Sequence, residues 1–119
     1  MNQMKKSASE SVKQVFLCQK KDLVVNSGIC VLVGDEQVAL FYLPKEQPSI
    51  YAISNWDPIG QANVLSRGIV GDIKGELVVA SPLFKQHFSL VSGSCLEVDN
   101  LTVSTYNVTI EGEEVFLSF

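Results

Sequence analysis

Residues Gly75–Leu90, which read GELVVASPLFKQHFSL, contain two of the clearest strand patterns in the chain. The segment Glu76–Ala80 is rich in valine and follows a glycine, which is typical of a short β-strand. In His87–Leu90, Phe88 and Leu90 fall on one face and the residues that alternate with them fall on the other, as a strand requires. The stretch therefore predicts two short strands joined by a loop.

The same pattern extends in both directions as short apolar runs separated by turn residues. The further runs that predict strands are Gly28–Val33, Gln37–Tyr42, Ile50–Ser54, Thr102–Ile110 and Glu114–Phe119. Gly34–Glu36 and Glu111–Glu113 separate neighbouring runs by the spacing that a β-hairpin needs. Helix signals are weak, and Gly60–Arg67 predicts at most one short helical turn. Many short strands with glycine-containing turns indicate an all-β, antiparallel sandwich or barrel-like fold.

The composition excludes several classes of protein. The 119 residues are 46% hydrophobic and 18% charged, which is too apolar for a disordered chain and suits one domain. The net charge of −4 argues against a nucleic-acid partner, which needs clustered lysine and arginine. No apolar run approaches the roughly 18 residues that span a bilayer, so no membrane partner is expected. We expect a flexible N-terminal tail over residues 1–13 and one β domain over residues 14–119.

The three cysteines indicate the compartment. Cys18, Cys30 and Cys95 are widely spaced and odd in number, whereas a small secreted scaffold would carry an even set at close spacing. The polar N-terminal residues contain no apolar segment long enough for a secretory signal. The sequence therefore predicts a cytoplasmic protein whose cysteines contribute only to packing.

Residues with catalytic or metal-binding chemistry are few, and we predict no catalytic residue. His87 is the one histidine, and no Cys-x-x-Cys or His-x-Cys pair provides the spacing of a metal site. A nucleophilic Cys–His pair would have to form through folding, between His87 and either Cys30 or Cys95. The simpler interpretation places His87 on the outward face of a strand. The glycine-rich segment Gly68–Gly75 has neither the Gly-Lys-Ser or Gly-Lys-Thr sequence nor the Gly-x-Gly-x-x-Gly pattern of a phosphate-binding loop, and it is interpreted as a tight turn.

Two segments resemble the cluster-binding loops of Rieske domains. Ile50–Gly60 is a strand followed by Asp-Pro-Ile, where a Rieske domain has Cys-Pro-His. Gly75–Leu90, with Ser92–Gly93 after it, resembles the second loop, whose pattern is Cys-Pro-x-His-Gly-x-x-Phe-x-Leu before a turn glycine. The likeness extends from about Val15 to the C-terminal hairpin. It implies a Rieske-like antiparallel sandwich of stacked small sheets with at most one short helical turn.

The four ligand positions of the Rieske pattern are all changed in this chain. Asp57 and Ser81 stand at the cysteine positions, and Ile59 and Phe84 stand at the histidine positions. A Rieske [2Fe–2S] centre is held by two cysteines on one iron and two histidines on the other. The resemblance therefore implies that this chain binds no cluster and no other cofactor, and transfers no electrons itself.

One branch of the family matches more of the chain. Val64–Asp72, with Gly75–Leu83 and Lys85–Gln86 after it, is similar to the small subunits of cytoplasmic NAD(P)H-dependent nitrite reductases. In those enzymes the large subunit carries FAD, an iron–sulfur cluster and sirohaem, and it reduces nitrite to ammonium. The resemblance implies that the large subunit is the partner and that this chain is a non-catalytic accessory subunit.

The former cluster loops carry apolar residues that suggest an interface. Our hypothesis is an apolar tip that docks on the large subunit, composed of Trp56, Pro58, Ile59, Pro82, Leu83 and Phe84. The alternative is that these side chains, Ile59 and Phe84 above all, only fill the hollow that a missing cluster leaves. Two other functions stay open at this point. One is a Rieske-type electron carrier that holds a metal through Asp57, Ser81 and His87, and the other is a general β-type interaction module for another oxidoreductase.

Overall fold

The computed structural model describes residues 13–119, which form eleven β-strands and two 3-10 turns. The strands are β1 (Gln14–Gln19), β2 (Ser27–Val33), β3 (Glu36–Tyr42), β4 (Ile50–Ser54), β5 (Trp56–Asp57), β6 (Ala62–Asn63), β7 (Ile69–Ile73), β8 (Glu76–Ala80), β9 (His87–Ser89), β10 (Thr105–Glu111) and β11 (Glu114–Ser118). The 3-10 turns are Lys20–Asp22 and Leu65–Arg67. The predicted tail lies outside the described residues except for Lys13, whose carbonyl accepts a hydrogen bond from the amide of Phe119.

Six strands form one antiparallel sheet in the order β1-β11-β10-β4-β3-β2. The two edge strands, β1 and β2, contact each other, so the sheet curls into an incomplete barrel. The barrel interior is a buried cluster of Val38, Leu40, Ile50, Ala52 and Val115. Curling brings the two edges together, which reduces the length of unpaired strand that faces water.

A three-stranded sheet, β7-β8-β9, packs on the outside of the barrel against β3 and β4. Phe41 and Ile53 point out of the barrel and pack in one buried cluster with Val79 and Phe88 of the smaller sheet. Because β3 and β4 are buried on both faces, their apolar residues run without interruption. The prediction of an all-β antiparallel sandwich of stacked sheets is confirmed.

The glycine-rich segment Gly68–Gly75 is mostly strand, so its interpretation as a tight turn was wrong. Ile69–Ile73 is β7, which pairs with β8 from Ile69↔Ala80 to Ile73↔Glu76. Only Lys74 and Gly75 form the hairpin turn, with φ values of +52° and +88°. Two consecutive positive φ angles suit the right-handed twist of the flanking strands.

The predicted helical turn is found at the end of Gly60–Arg67, as the 3-10 turn Leu65–Arg67. Leu65 is fully buried in the cluster between the barrel and the smaller sheet. The second turn, Lys20–Asp22, is one more than we expected, and the carboxylate of Asp22 caps it by accepting a hydrogen bond from the amide of Gln19. Within residues 13–119, no helix has the length and apolar character needed to cross a membrane.

Candidate functional site

Two loops lie side by side at the end of the molecule where the Rieske resemblance places a cluster. We call residues 57–61 and 81–86 the tip loops. The first is closed by a hydrogen bond from the amide of Gln61 to the carbonyl of Asp57, 2.7 Å, and the second by one from the amide of Ser81 to the carbonyl of Gln86, 2.9 Å. Gln61 and Lys85 both have positive φ angles, +56° and +68°, which non-glycine residues seldom adopt. The loops are therefore tight, well-defined turns.

Asp57 and Ser81 face each other between the tip loops, and both are fully buried. The Ser81 hydroxyl donates a hydrogen bond of 2.5 Å to Oδ2 of Asp57. The other carboxylate oxygen, Oδ1, accepts from the amides of Ile59 at 2.8 Å and Gly60 at 3.1 Å. The hydroxyl oxygen of Ser81 in turn accepts from the amide of Leu83 at 3.2 Å. Every oxygen of the pair is thus engaged by a partner inside the protein.

This arrangement does not fit a [2Fe–2S] cluster. Such a cluster needs thiolate and imidazole ligands aimed at a shared space. Here the oxygens at the two cysteine positions bond to each other and face no open space. The side chains at the two histidine positions, Ile59 and Phe84, carry no ligand atom. The tip loops are a Rieske-like frame whose ligand positions serve a different purpose.

The structure separates the apolar residues that the sequence grouped into one tip. Ile59 is half-buried and packs against the core. Phe84 is 61% exposed and does not fill the hollow. Leu83 is also exposed. Its side chain reaches across to the first tip loop and lies so close to Gly60 that a Cβ at that position would overlap it. Pro82 is exposed and Pro58 is half-buried.

Trp56 lies on a different surface from Leu83 and Phe84. Its side chain is 44% exposed and lines a groove of about 250 Å³ with Glu36, Ser54 and Tyr106. Alternation along β5 explains this position, because Asp57 points inward and its neighbour must point outward. Tyr106 donates a 2.7 Å hydrogen bond to Glu36 beside the groove. Burial raises the pKa of Tyr106 to about 12, and the hydrogen bond and charge of Glu36 add to the effect.

His87 is held by Glu97 on the outer face of the smaller sheet. Its Nδ1 lies 2.6 Å from Oε2 of Glu97, and its amide donates to Oε1 at 2.8 Å. Burial alone would raise the pKa of Glu97, but the hydrogen bonds and the charge of His87 lower it overall. The Cys95 thiol donates to the same carboxylate at 3.8 Å. Folding therefore brings Cys95 and His87 to a common carboxylate and does not form the nucleophilic pair.

The other two thiols are not activated. Cys30 is an exposed residue of β2, but its thiol is partly buried, and this partial burial raises the pKa of the thiol. Burial also raises the pKa of Cys18, with a further contribution from the charge of Asp22. A raised pKa keeps a thiol protonated and unreactive. Within residues 13–119, no three His, Cys, Asp or Glu side chains come together as metal ligands.

The family of the chain follows from a match over nearly all of it. Residues 13–118 match the model of the family described as the Rieske-like [2Fe–2S] domain. The chain belongs to this family, as the fold and the paired tip loops indicate.

Individual relatives give its place within the family. The nitrite reductase (NADH) small subunit of Escherichia coli is 43% identical over 95 residues, which are 80% of this chain and 87% of that protein. The NMR structure of the E. coli protein NirD matches with a TM-score of 0.81 at 39% identity, covering 91% of this chain and 97% of that one. The nitrite reductase NAD(P)H large subunit of Klebsiella oxytoca is 35% identical over 101 residues, which are 85% of this chain and 10% of that protein. Among Rieske-like domains, the chain belongs to the nitrite reductase small subunits.

Proposed function

We propose that this chain is the cofactor-free small subunit of an assimilatory NAD(P)H-dependent nitrite reductase. It supports the catalytic large subunit, which carries FAD, an iron–sulfur cluster and sirohaem and reduces nitrite to ammonium in the cytoplasm. The observation that carries the proposal is the 43% identity to the E. coli small subunit over 87% of its length. The three free thiols, Cys18, Cys30 and Cys95, fit a reducing compartment.

The geometry of the tip loops supports an accessory role over a redox role. An electron carrier needs a centre that accepts an electron, and Asp57 and Ser81 instead satisfy each other in a buried hydrogen bond. The Klebsiella relative supports the choice of partner. A region similar to this chain makes up 10% of a protein called a large subunit, so in that protein the two parts share one polypeptide.

The exposed part of the second tip loop is our proposed contact with the large subunit. Leu83 and Phe84 are 44% and 61% exposed on a loop that backbone hydrogen bonds hold in one conformation. Large apolar side chains on a rigid surface loop bind a partner at a lower entropic cost, because the loop backbone is already ordered. Pro82 adds further rigidity to this loop. Ile59 packs against the core and Trp56 lines a separate groove, so the proposed contact centres on Leu83 and Phe84.

Co-expression with a sirohaem-containing large subunit tests the function. We expect the two chains to co-elute in size-exclusion chromatography and the pair to reduce nitrite with NADH or NADPH. Independent elution of the two chains, with unchanged turnover when this chain is left out, would contradict the proposal. An iron assay and a visible absorbance spectrum of the purified chain test the cofactor-free role, because stoichiometric iron would make it an electron carrier.

Phe84→Asp tests the docking surface against a matched control. We expect the variant to keep its melting temperature and to bind the large subunit at least about tenfold more weakly, because a charge replaces an apolar anchor. Phe119→Asp changes the same residue type at the C-terminus, where it is 71% exposed, and should leave binding unchanged. Loss of stability in Phe84→Asp with unchanged binding would show that the side chain packs within the chain and does not dock.

A further inference from the structure

The two tip loops are joined by a hydrogen bond between buried side chains, which links residues that are 24 positions apart. In a Rieske domain the same two positions would be joined through an iron atom. We infer that the Ser81–Asp57 hydrogen bond replaces the cluster as the cross-link between the loops, and that it sets the position of the exposed Leu83–Phe84 surface. The inference concerns contacts within this chain and does not depend on the proposed partner.

The hydrogen bonds around Asp57 and Ser81 are continuous from one tip loop to the other. Asp57 holds its own loop by accepting from the amides of Ile59 and Gly60, and Ser81 holds its own loop by accepting from the amide of Leu83. The Ser81–Asp57 bond joins these two local sets into one network that crosses between the loops. Each member polarises the next in a buried setting, so the network orders both loops together.

Both members of the pair are shielded from water. Asp57 and Ser81 have no exposed surface, so water cannot replace either partner if the other is removed. A buried acceptor left without its donor is much more costly than the same loss at the surface. Asp57 and Ser81 therefore stabilise the loops only when both are present, as is expected of a structural cross-link.

Apolar side chains of both tip loops pack beside the pair. The Leu83 side chain lies against Gly60, where any larger residue would overlap it. Ile59 anchors the first loop to the core. Apolar side chains therefore lie beside the buried hydrogen bond, and a hydrogen bond in such a low-polarity environment is electrostatically stronger than one in water.

Amide hydrogen exchange on Ser81→Ala tests the cross-link directly. Within residues 13–119, the hydrogen bonds that connect Ser81 to the amides of Ile59 and Gly60 run through Asp57. If the bond joins the loops, exchange at these two amides should accelerate roughly tenfold or more in Ser81→Ala, even though they lie in the other loop. Acceleration confined to the Leu83 amide, which Ser81 contacts itself, would overturn the inference.

Ser89→Ala is the matched control. Ser89 is also fully buried, and its hydroxyl accepts from the amides of Val91 and Ser92 within its own turn. We expect its loss to accelerate exchange only in that turn and to leave Ile59 and Gly60 protected.

Asp57→Asn keeps the test informative if Ser81→Ala folds poorly. An asparagine retains Oδ1 as the acceptor for the loop amides, and its amide nitrogen can donate to the Ser81 oxygen. We therefore expect Asp57→Asn to keep the amides of Ile59, Gly60 and Leu83 protected, whereas Asp57→Ala should release all three. Equal loss of protection in Asp57→Asn and Asp57→Ala would overturn the inference, because it would show that the negative charge and not the bridging bond holds the loops.

Discussion

Asn55 is a single buried side chain that joins three separate parts of the chain. Its Oδ1 accepts from the amide of Ser66 at 2.7 Å, and its Nδ2 donates to Oε1 of Gln37 at 3.0 Å and to the sulfur of Cys30 at 3.6 Å. These hydrogen bonds therefore hold the 3-10 turn that contains Ser66 against β3 and β2. Nothing in the local sequence distinguishes Asn55, because an asparagine before a tryptophan has the same local pattern whether it lies in a turn or in the core.

Asn55→Ala should lower the free energy of unfolding by about 1–3 kcal/mol, because the Ser66 amide is left buried without an acceptor. Denaturant unfolding followed by tryptophan fluorescence measures this, since Trp56 is the neighbouring residue and the one tryptophan. Asn107→Ala, at an exposed position of β10, serves as the control and should change stability by less than about 0.5 kcal/mol. Similar small effects in both variants would show that Asn55 has no such role.

At the scale of elements, glycine allows two close approaches: the start of β7 lies against β8, and the 3-10 turn that contains Ser66 lies against β2. A Cβ on Gly68 would overlap the carbonyl oxygen of Ala80 and the side chain of Val79. A Cβ on Gly28 would meet the carbonyl oxygen of Ser66 and the ring of Phe41. Glycines in and beside strands often mark such close backbone approaches. Gly68, at the start of the glycine-rich segment, therefore has a packing role that a tight turn would not require.

Gly68→Ala and Gly71→Ala form a matched pair. Gly68→Ala should destabilise the protein by about 1–3 kcal/mol, because the added methyl group forces a backbone carbonyl away. Gly71 lies in β7 with nothing within 4 Å of its ideal Cβ position, so Gly71→Ala should be neutral within about 0.5 kcal/mol or slightly stabilising. Thermal unfolding of the two variants in parallel checks this, and equal midpoints would contradict the packing argument.

At the scale of the whole molecule, β3 and β4 are the frame that both cores share. One face of this pair closes the barrel interior, and the other face carries Phe41 and Ile53 against the smaller sheet. Burying each such side chain fully contributes about 1.5–3 kcal/mol. Since β4 leads into the first tip loop and β8 leads into the second, this shared core holds the two loops at one end of the molecule.

The Tyr106–Glu36 hydrogen bond joins β10 to the start of β3, past the intervening strand β4, and it predicts a dependence of stability on alkaline pH. The pKa of Tyr106 rises from 10 to about 12 on folding, so the folded protein keeps a proton that the unfolded chain loses. This stabilisation is fully present below pH 10 and is lost as the pH rises from 10 to about 12.

Tyr106→Phe should remove that part of the alkaline loss of stability, which denaturant unfolding over the same pH range measures. Glu36→Gln should give an intermediate slope, because it removes the charge and keeps an acceptor for the phenol. If wild type and Tyr106→Phe lose stability at the same rate, the phenol does not stay protonated as we predict.

The all-β class, seven of the strands and the Rieske-like frame could be predicted from the sequence, since they depend on local alternation, turn residues and the two loop motifs. The identities at the ligand positions could also be read directly, and they already excluded thiolate and imidazole ligands. What Asp57, Ser81, Ile59 and Phe84 do at those positions depended on the tertiary structure. Folding had to bring the side-chain oxygens of two residues that are 24 positions apart to a distance of 2.5 Å before the serine and the aspartate became one buried pair.

The sequence by itself determined that this protein is a small β domain of the Rieske-like family with altered ligand positions. Periodicity and motif spacing are properties of neighbouring residues, and they are visible without a fold. Only the tertiary structure decided that Asp57 and Ser81 bond to each other, that Ile59 turns inward while Phe84 faces solvent, and that Trp56 lies on another surface. The physical reason is that burial and hydrogen bonding between distant residues follow from how the sheets pack, which local sequence does not specify.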